Sequence, residues 1–171
     1  MKDNVLEEII RVVKEIGERE YKLLASLIGK AERVFVTGAG RSGLIGRCFA
    51  MRLRHLGIES YVPGETICPP IRKGDILIVI SSSGRKKTVI AMAETGEKEG
   101  AKVLSITSKK TSPLTNISDY KIIIPAKNSI QFGDSLFEQA ALIFLDTFVE
   151  WLRKEKRISH SDMLKRHTNL E

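Results

Sequence analysis

The chain is poor in the residues that staple, stack or span. It has 2 cysteines in 171 residues, Cys48 and Cys68. They match no zinc-ligand spacing and are too few for a disulfide framework, so a reducing cytoplasmic setting is the simplest expectation. Aromatics are only 6%, with one tryptophan and no cluster suited to stacking bases. No secretory leader is expected, because Met1-Lys2-Asp3-Asn4 runs into further charged residues rather than an apolar stretch. Apolar runs such as Ile76–Ile80 fall far short of the roughly 20 residues a membrane helix needs, so no membrane partner is expected. Repeats, low-complexity tracts and long linkers are also missing. These absences leave one globular domain over residues 1–171, with an N-terminal helical segment over 1–30 and a C-terminal helical tail over 155–171.

The chain does have an excess of positive charge: 28 basic against 21 acidic side chains, a formal charge of +7. Such a balance raises nucleic acid as a partner. The distribution argues against it, because the basic residues are scattered and most helical segments mix both signs. The densest basic run, 153–157, ends a long helical pattern, where cations suit the helix macrodipole. Arg41, Arg47, Arg85, Lys86 and Lys87 instead flank two loops rich in glycine and serine, where positive charge suits a small anionic ligand.

Hydrophobic spacing predicts a helix over 3–29, with Gly17 as a point of interruption. Beyond it, strand-like segments at 33–37, 58–62, 75–81, 102–107 and 120–125 alternate with helical ones at 44–56, 88–99, 113–117 and 136–154. Ser112-Pro113 reads as an N-cap followed by proline at the first helical position. This succession indicates βαβ units and a parallel sheet. Strands such as Ile76–Ile80 are apolar on both faces, as expected when helices cover both sides. The predicted fold class is a three-layer α/β/α sandwich around a five-stranded parallel sheet, of flavodoxin or Rossmann type.

Two loops follow predicted strands. The first satisfies G-x-G-x-x-G at Gly38, Gly40 and Gly43, with Arg41 and Ser42 inside it. Glycines let backbone approach a phosphate, and the following helix N-terminus favours its charge. A dinucleotide fold also wants an acidic residue about 20 positions on, at the end of the second strand. Glu59 falls at the start of that strand and Glu65 beyond it, so a nicotinamide-dependent oxidoreductase is a weaker reading. The second loop, Ser81-Ser82-Ser83-Gly84-Arg85, puts three successive hydroxyls beside another helix N-terminus. A phosphate held by hydroxyls and amides uses such a loop; a tight polar turn with a serine cap would also explain it. Two such loops on one edge of a parallel sheet favour a shared ligand.

Together these loops resemble the sugar isomerase (SIS) domain family. Within it, residues 38–53, 137–146 and 165–170 look like the corresponding segments of the 3-hexulose-6-phosphate isomerases. The resemblance spans roughly residues 20–171. It implies a homotetramer, a phosphorylated sugar as substrate and no metal or organic cofactor. Its implied phosphate and substrate contacts are Gly40, Arg41, Ser42, Arg47, Ser81, Ser82, Ser83, Gly84, Arg85, Lys86 and Thr88. One departure stands out. The family commonly has threonine two residues after the serine-loop glycine, where this chain has Lys86, and Lys87 follows in place of an acid. Thr88 keeps a hydroxyl at the helix start.

Moving a carbonyl by one carbon needs a base for the adjacent proton, and a carboxylate serves if a partly apolar site raises its pKa. Glu138 lies at a helix start between bulky apolar residues. Its local sequence, Ser135-Leu136-Phe137-Glu138, is equally a capping box in which glutamate satisfies the N-cap amide. The resemblance implies the catalytic role. Among the histidines, His55 reads as a cation at a helix C-terminus and His160 as a loop residue. His167 reads alone as a tail residue, and the resemblance implies that it assists proton transfer, in a neighbouring subunit's site if not its own. Cys48 is expected in the core and Cys68 in a loop. The resulting expectation is an enediol isomerisation of 3-hexulose 6-phosphate and fructose 6-phosphate. A non-catalytic sugar-phosphate sensor on the same fold, or an isomerase of another sugar phosphate, is the alternative.

Overall fold

The computed structural model describes residues 1–170. Two helices, α1 (Lys2–Lys14) and α2 (Glu18–Lys30), precede the first strand. The expected single helix breaks at Gly17, which caps α2 in an extended conformation while the Glu20 carboxylate accepts from its backbone N–H at 3.1 Å. A residue without a side chain can leave helical geometry there at little cost. The chain continues through β1 (Val34–Gly38), α3 (Arg41–His55), β2 (Ser60–Tyr61), β3 (Ile76–Ile80), α4 (Lys87–Lys98), β4 (Lys102–Thr107), α5 (Pro113–Ile117), β5 (Tyr120–Ile123), α6 (Ser135–Glu155) and α7 (His160–Leu164). All strand pairs are parallel, and the five-stranded sheet runs β2-β1-β3-β4-β5.

The strands alternate between two apolar clusters. Ile76, Ile78 and Ile80 of β3 join Val34 and Val36 of β1 under α1, α2, α3 and α6. Leu77 and Val79 face the other way, with Phe35, under α4 and α5. Both sheet faces are therefore dry, which accounts for strands that are apolar at every position. One charged pair lies at the base of the sheet. Asp75 is 2% exposed, and Arg33 grips its carboxylate in two bonds of 3.0 and 2.7 Å. The amide of Arg72 adds a third bond at 2.8 Å, so the buried charge is paired and hydrogen-bonded.

α5 starts as expected, with Ser112 as N-cap accepting from the Thr115 amide and Pro113 in the first turn. The predicted loop around His160 is instead the start of α7, capped by Ser159 accepting from the Asp162 amide. The Cys48 expectation also needs correcting, because Cys48 is exposed. The buried positions of α3 include Ile45, Phe49, Ala50 and Leu53, and a 3.6-residue period turns position 48 away from that face. Cys68 is half-buried in its loop. Among the described residues, no helix is long and apolar enough to cross a membrane.

Candidate active site

In the order β2-β1-β3, the chain leaves β1 in one direction and β3 in the other. A crevice opens above the C-terminal ends of these two strands, the place where such sheets bind ligands. It holds a cavity of about 360 Å³. Residues 39–42 after β1 form one wall, residues 81–83 with Lys86 after β3 form a second, and residues 132–135 with Glu138 at the start of α6 form the third.

The glycines of the first loop have separate tasks. A Cβ on Gly38 would meet the Ile80 carbonyl oxygen at 2.8 Å, and one on Gly43 would meet the Gly38 carbonyl oxygen at the same distance. These two glycines let β1, β3 and the first turn of α3 pack closely. Gly40 has φ +59° and open space around it, so it shapes the loop as N-cap of α3 beside the cavity. The dinucleotide reading loses its acid here: Glu59 accepts from the Tyr61 hydroxyl at 2.5 Å, and Glu65 pairs with Arg47.

The second loop is held from within. Ser81 Oγ accepts from the Gly84 amide at 3.2 Å, and Ser83 Oγ accepts from the Arg85 amide at 3.3 Å. Gly84 turns the chain at φ +62° directly against Ser112. Its carbonyl accepts from the Leu114 amide at 3.1 Å, tying the loop to α5.

Glu138 decides between its two sequence readings. α6 begins at Ser135 with Asp134 as N-cap, so the capping box does not form. Ser135 Oγ donates instead to the Phe132 carbonyl at 2.8 Å. The Glu138 carboxylate points into the cavity, and its Oε2 pairs with Arg41 Nε at 2.7 Å. The residue is 9% exposed. Burial pushes its pKa above the usual glutamate range, the Arg41 guanidinium pulls it down, and the neighbouring Asp134 charge pushes it up. The result is a desolvated carboxylate beside hydroxyl donors and two cations, Arg41 and Lys86.

The cavity thus gathers Gly40, Arg41, Ser42, Ser81, Ser82, Ser83, Lys86 and Glu138 of the sequence candidates. The others lie elsewhere. Arg47 is held by Glu65 on the outer side of α3. Gly84 and Arg85 shape the loop without lining the cavity. Thr88 faces the opposite side of the sheet, lining an apolar cavity with Cys68 and Met92. His167 stacks on the buried His55, with ring centroids 4.9 Å apart, at the far end of α3. A helix of 15 residues puts that end about 22 Å from Arg41. Ala39, Phe132, Gly133 and Asp134 also line the cavity, and none of them had a candidate role in the sequence. The glycine-containing turn before a capping signature marked the position of the last three but not their direction.

Strand order and crevice define a doubly wound α/β protein with a small anion-ready site. The SIS domain family profile matches residues 27–147, and the chain belongs to that family. A protein of Methanocaldococcus jannaschii named 3-hexulose-6-phosphate isomerase is 39% identical over 174 residues, covering 98% of this chain and 96% of its own. Its namesake in Mycobacterium gastri is 37% identical over 175 residues, covering 98% and 88%. A crystal structure of a hypothetical protein from Methanococcus jannaschii, whose function is inferred as 3-hexulose-6-phosphate isomerase, matches with TM-score 0.91 at 36% identity, covering 99% and 98%. The family resemblance read in the sequence is correct.

Proposed function

We propose that this protein is a phosphosugar isomerase that interconverts 3-hexulose 6-phosphate and fructose 6-phosphate. The observation that carries the reading is Glu138, a buried carboxylate aimed into a crevice whose opposite wall is a loop of serine hydroxyls. The relatives of that name support the choice of sugar.

In this reading Ser42, Ser81, Ser83 and Lys86 hold the phosphate. Ser81 and Ser83 accept from backbone amides, which leaves each hydroxyl's own hydrogen to donate outward. Glu138 removes the proton from C2 as the C3 carbonyl oxygen gains one, giving the C2–C3 enediol. The proton returns to C3 while the oxygen on C2 loses its own, and the carbonyl now stands at C2. Burial makes the carboxylate basic enough for this, and Arg41 orients it. His167 lies outside its own chain's crevice; in this reading it assists a neighbouring subunit's site in a homotetramer. An exposed stripe on α3, Leu44, Cys48 and Met51, is available for that assembly. Its exposed free thiol fits a reducing cytoplasm.

Glu138→Gln tests the reading. The folded variant is expected to bind fructose 6-phosphate and to lose turnover by about a thousandfold or more, within the range of general-base removal. Full turnover in the folded variant would overturn it.

A further inference from the structure

We propose that Asp134 is the specificity residue of the crevice: it reserves Ser82 for the hydroxyl end of the sugar and limits the site to ligands with a single phosphate. The inference rests on the phosphosugar reading above.

The hydroxyls of the serine loop are not equivalent. Ser82 Oγ donates to Asp134 Oδ1 at 2.8 Å and lies 3.2 Å from Ser108 Oγ. Ser82 is 6% exposed. Its carbonyl accepts from Thr107 Oγ1 and from Ser108 Oγ, both at 2.9 Å, so the residue is fixed on two sides. A hydroxyl has one hydrogen, and this one is spent on a carboxylate. Ser81 and Ser83, which only accept within the loop, still have theirs. The crevice is thereby split. Ser81, Ser83 and Lys86 form a donor wall for the phosphate, while Asp134 and Glu138 form an acceptor wall.

Charge makes the split selective. Arg41 is already paired with Glu138, and Lys86 forms no ion pair among the described residues. A phosphate therefore finds Lys86 as the unbalanced cation, together with the free hydroxyls. A second phosphate at the other end of the sugar would meet Asp134, whose charge opposes it. Neutral hydroxyls at that end instead donate to the Asp134 carboxylate, which has a second oxygen beyond the one facing Ser82.

The test is calorimetric titration of wild type, Asp134→Asn and Asp134→Ala with fructose 6-phosphate and fructose 1,6-bisphosphate. The Asp134 side chain makes no cap bond to α6, so neither variant removes one. Wild type is expected to bind the bisphosphate roughly tenfold or more weakly than the monophosphate, the scale of a like-charge encounter at a binding site. Both variants are expected to narrow that ratio to about threefold or less. An unchanged ratio in folded variants overturns the role of Asp134 and leaves the phosphosugar reading standing. A wild type that binds neither ligand overturns both.

Discussion

At the residue scale the proposed reaction rests on one carboxylate and the charges beside it. Burial raises the pKa of Glu138, and a base works only when ionised, so kcat/KM is expected to fall as pH drops through a value above the ordinary glutamate range. Arg41 opposes that rise. Arg41→Gln removes the opposing charge, so the acid limb of the profile is expected to move to higher pH. A limb that stays in place, or moves down, contradicts the arrangement. Glu138 was visible in the sequence, and its catalytic role came from the family resemblance, not from the local pattern. Ser135-x-x-Glu138 fits a capping box as well as a base, and only the start of α6 at Asp134 separates the two. Asp134 itself has no signature, since its meaning lies in a contact with Ser82, 52 positions away.

At the element scale, the strands and the two loops were legible because their signals are local. β-branched runs, glycine turns and serine caps declare themselves within a few residues. The break at Gly17 was flagged without being resolved into two helices. A helical tail over 155–171 was expected, but the start of α7 at His160 read as a loop, because its five residues include none that is fully buried. α1 shows what local patterns leave out. Its Glu8 accepts from the Ile130 amide at 2.8 Å and from Ser129 Oγ at 2.9 Å, tying the N-terminal helix to the segment that leads to Asp134. The Ile130 bond, with those of Ser129 and Gln131, holds the Glu8 carboxyl below the usual range against a smaller opposing effect of burial. Glu8→Ala is expected to raise KM by roughly three- to tenfold with a smaller change in kcat, because it loosens a wall of the crevice without touching the base. Equal losses in both would place Glu8 in the chemistry instead. Arg33 is a different case. Arg33→Ala strands the buried Asp75, and a loss of about 3–5 kcal/mol in chemical denaturation is expected.

At the scale of the whole molecule, the sheet order sets the function by placing two anion-ready loops over adjacent strand ends. The sequence implied that placement through the succession of strand, loop and helix. It could not show that the start of α6, which packs along α3, forms the third wall. Nor did it show that His167 ends up at the far end of α3, against His55. If a neighbouring subunit supplies that histidine, Glu138→Gln and His167→Asn chains are each expected to be inactive alone. Refolded together, they should recover activity in the mixed assembly. No recovery in assemblies shown to be mixed would remove His167 from the shared site.

The most direct measurement of the central claim is NMR of fructose 6-phosphate with the wild-type protein in deuterated water. The account predicts a 3-keto hexulose phosphate and solvent deuterium on the carbon that exchanges its proton through the enediol. Binding of fructose 6-phosphate with neither product nor exchange would contradict it.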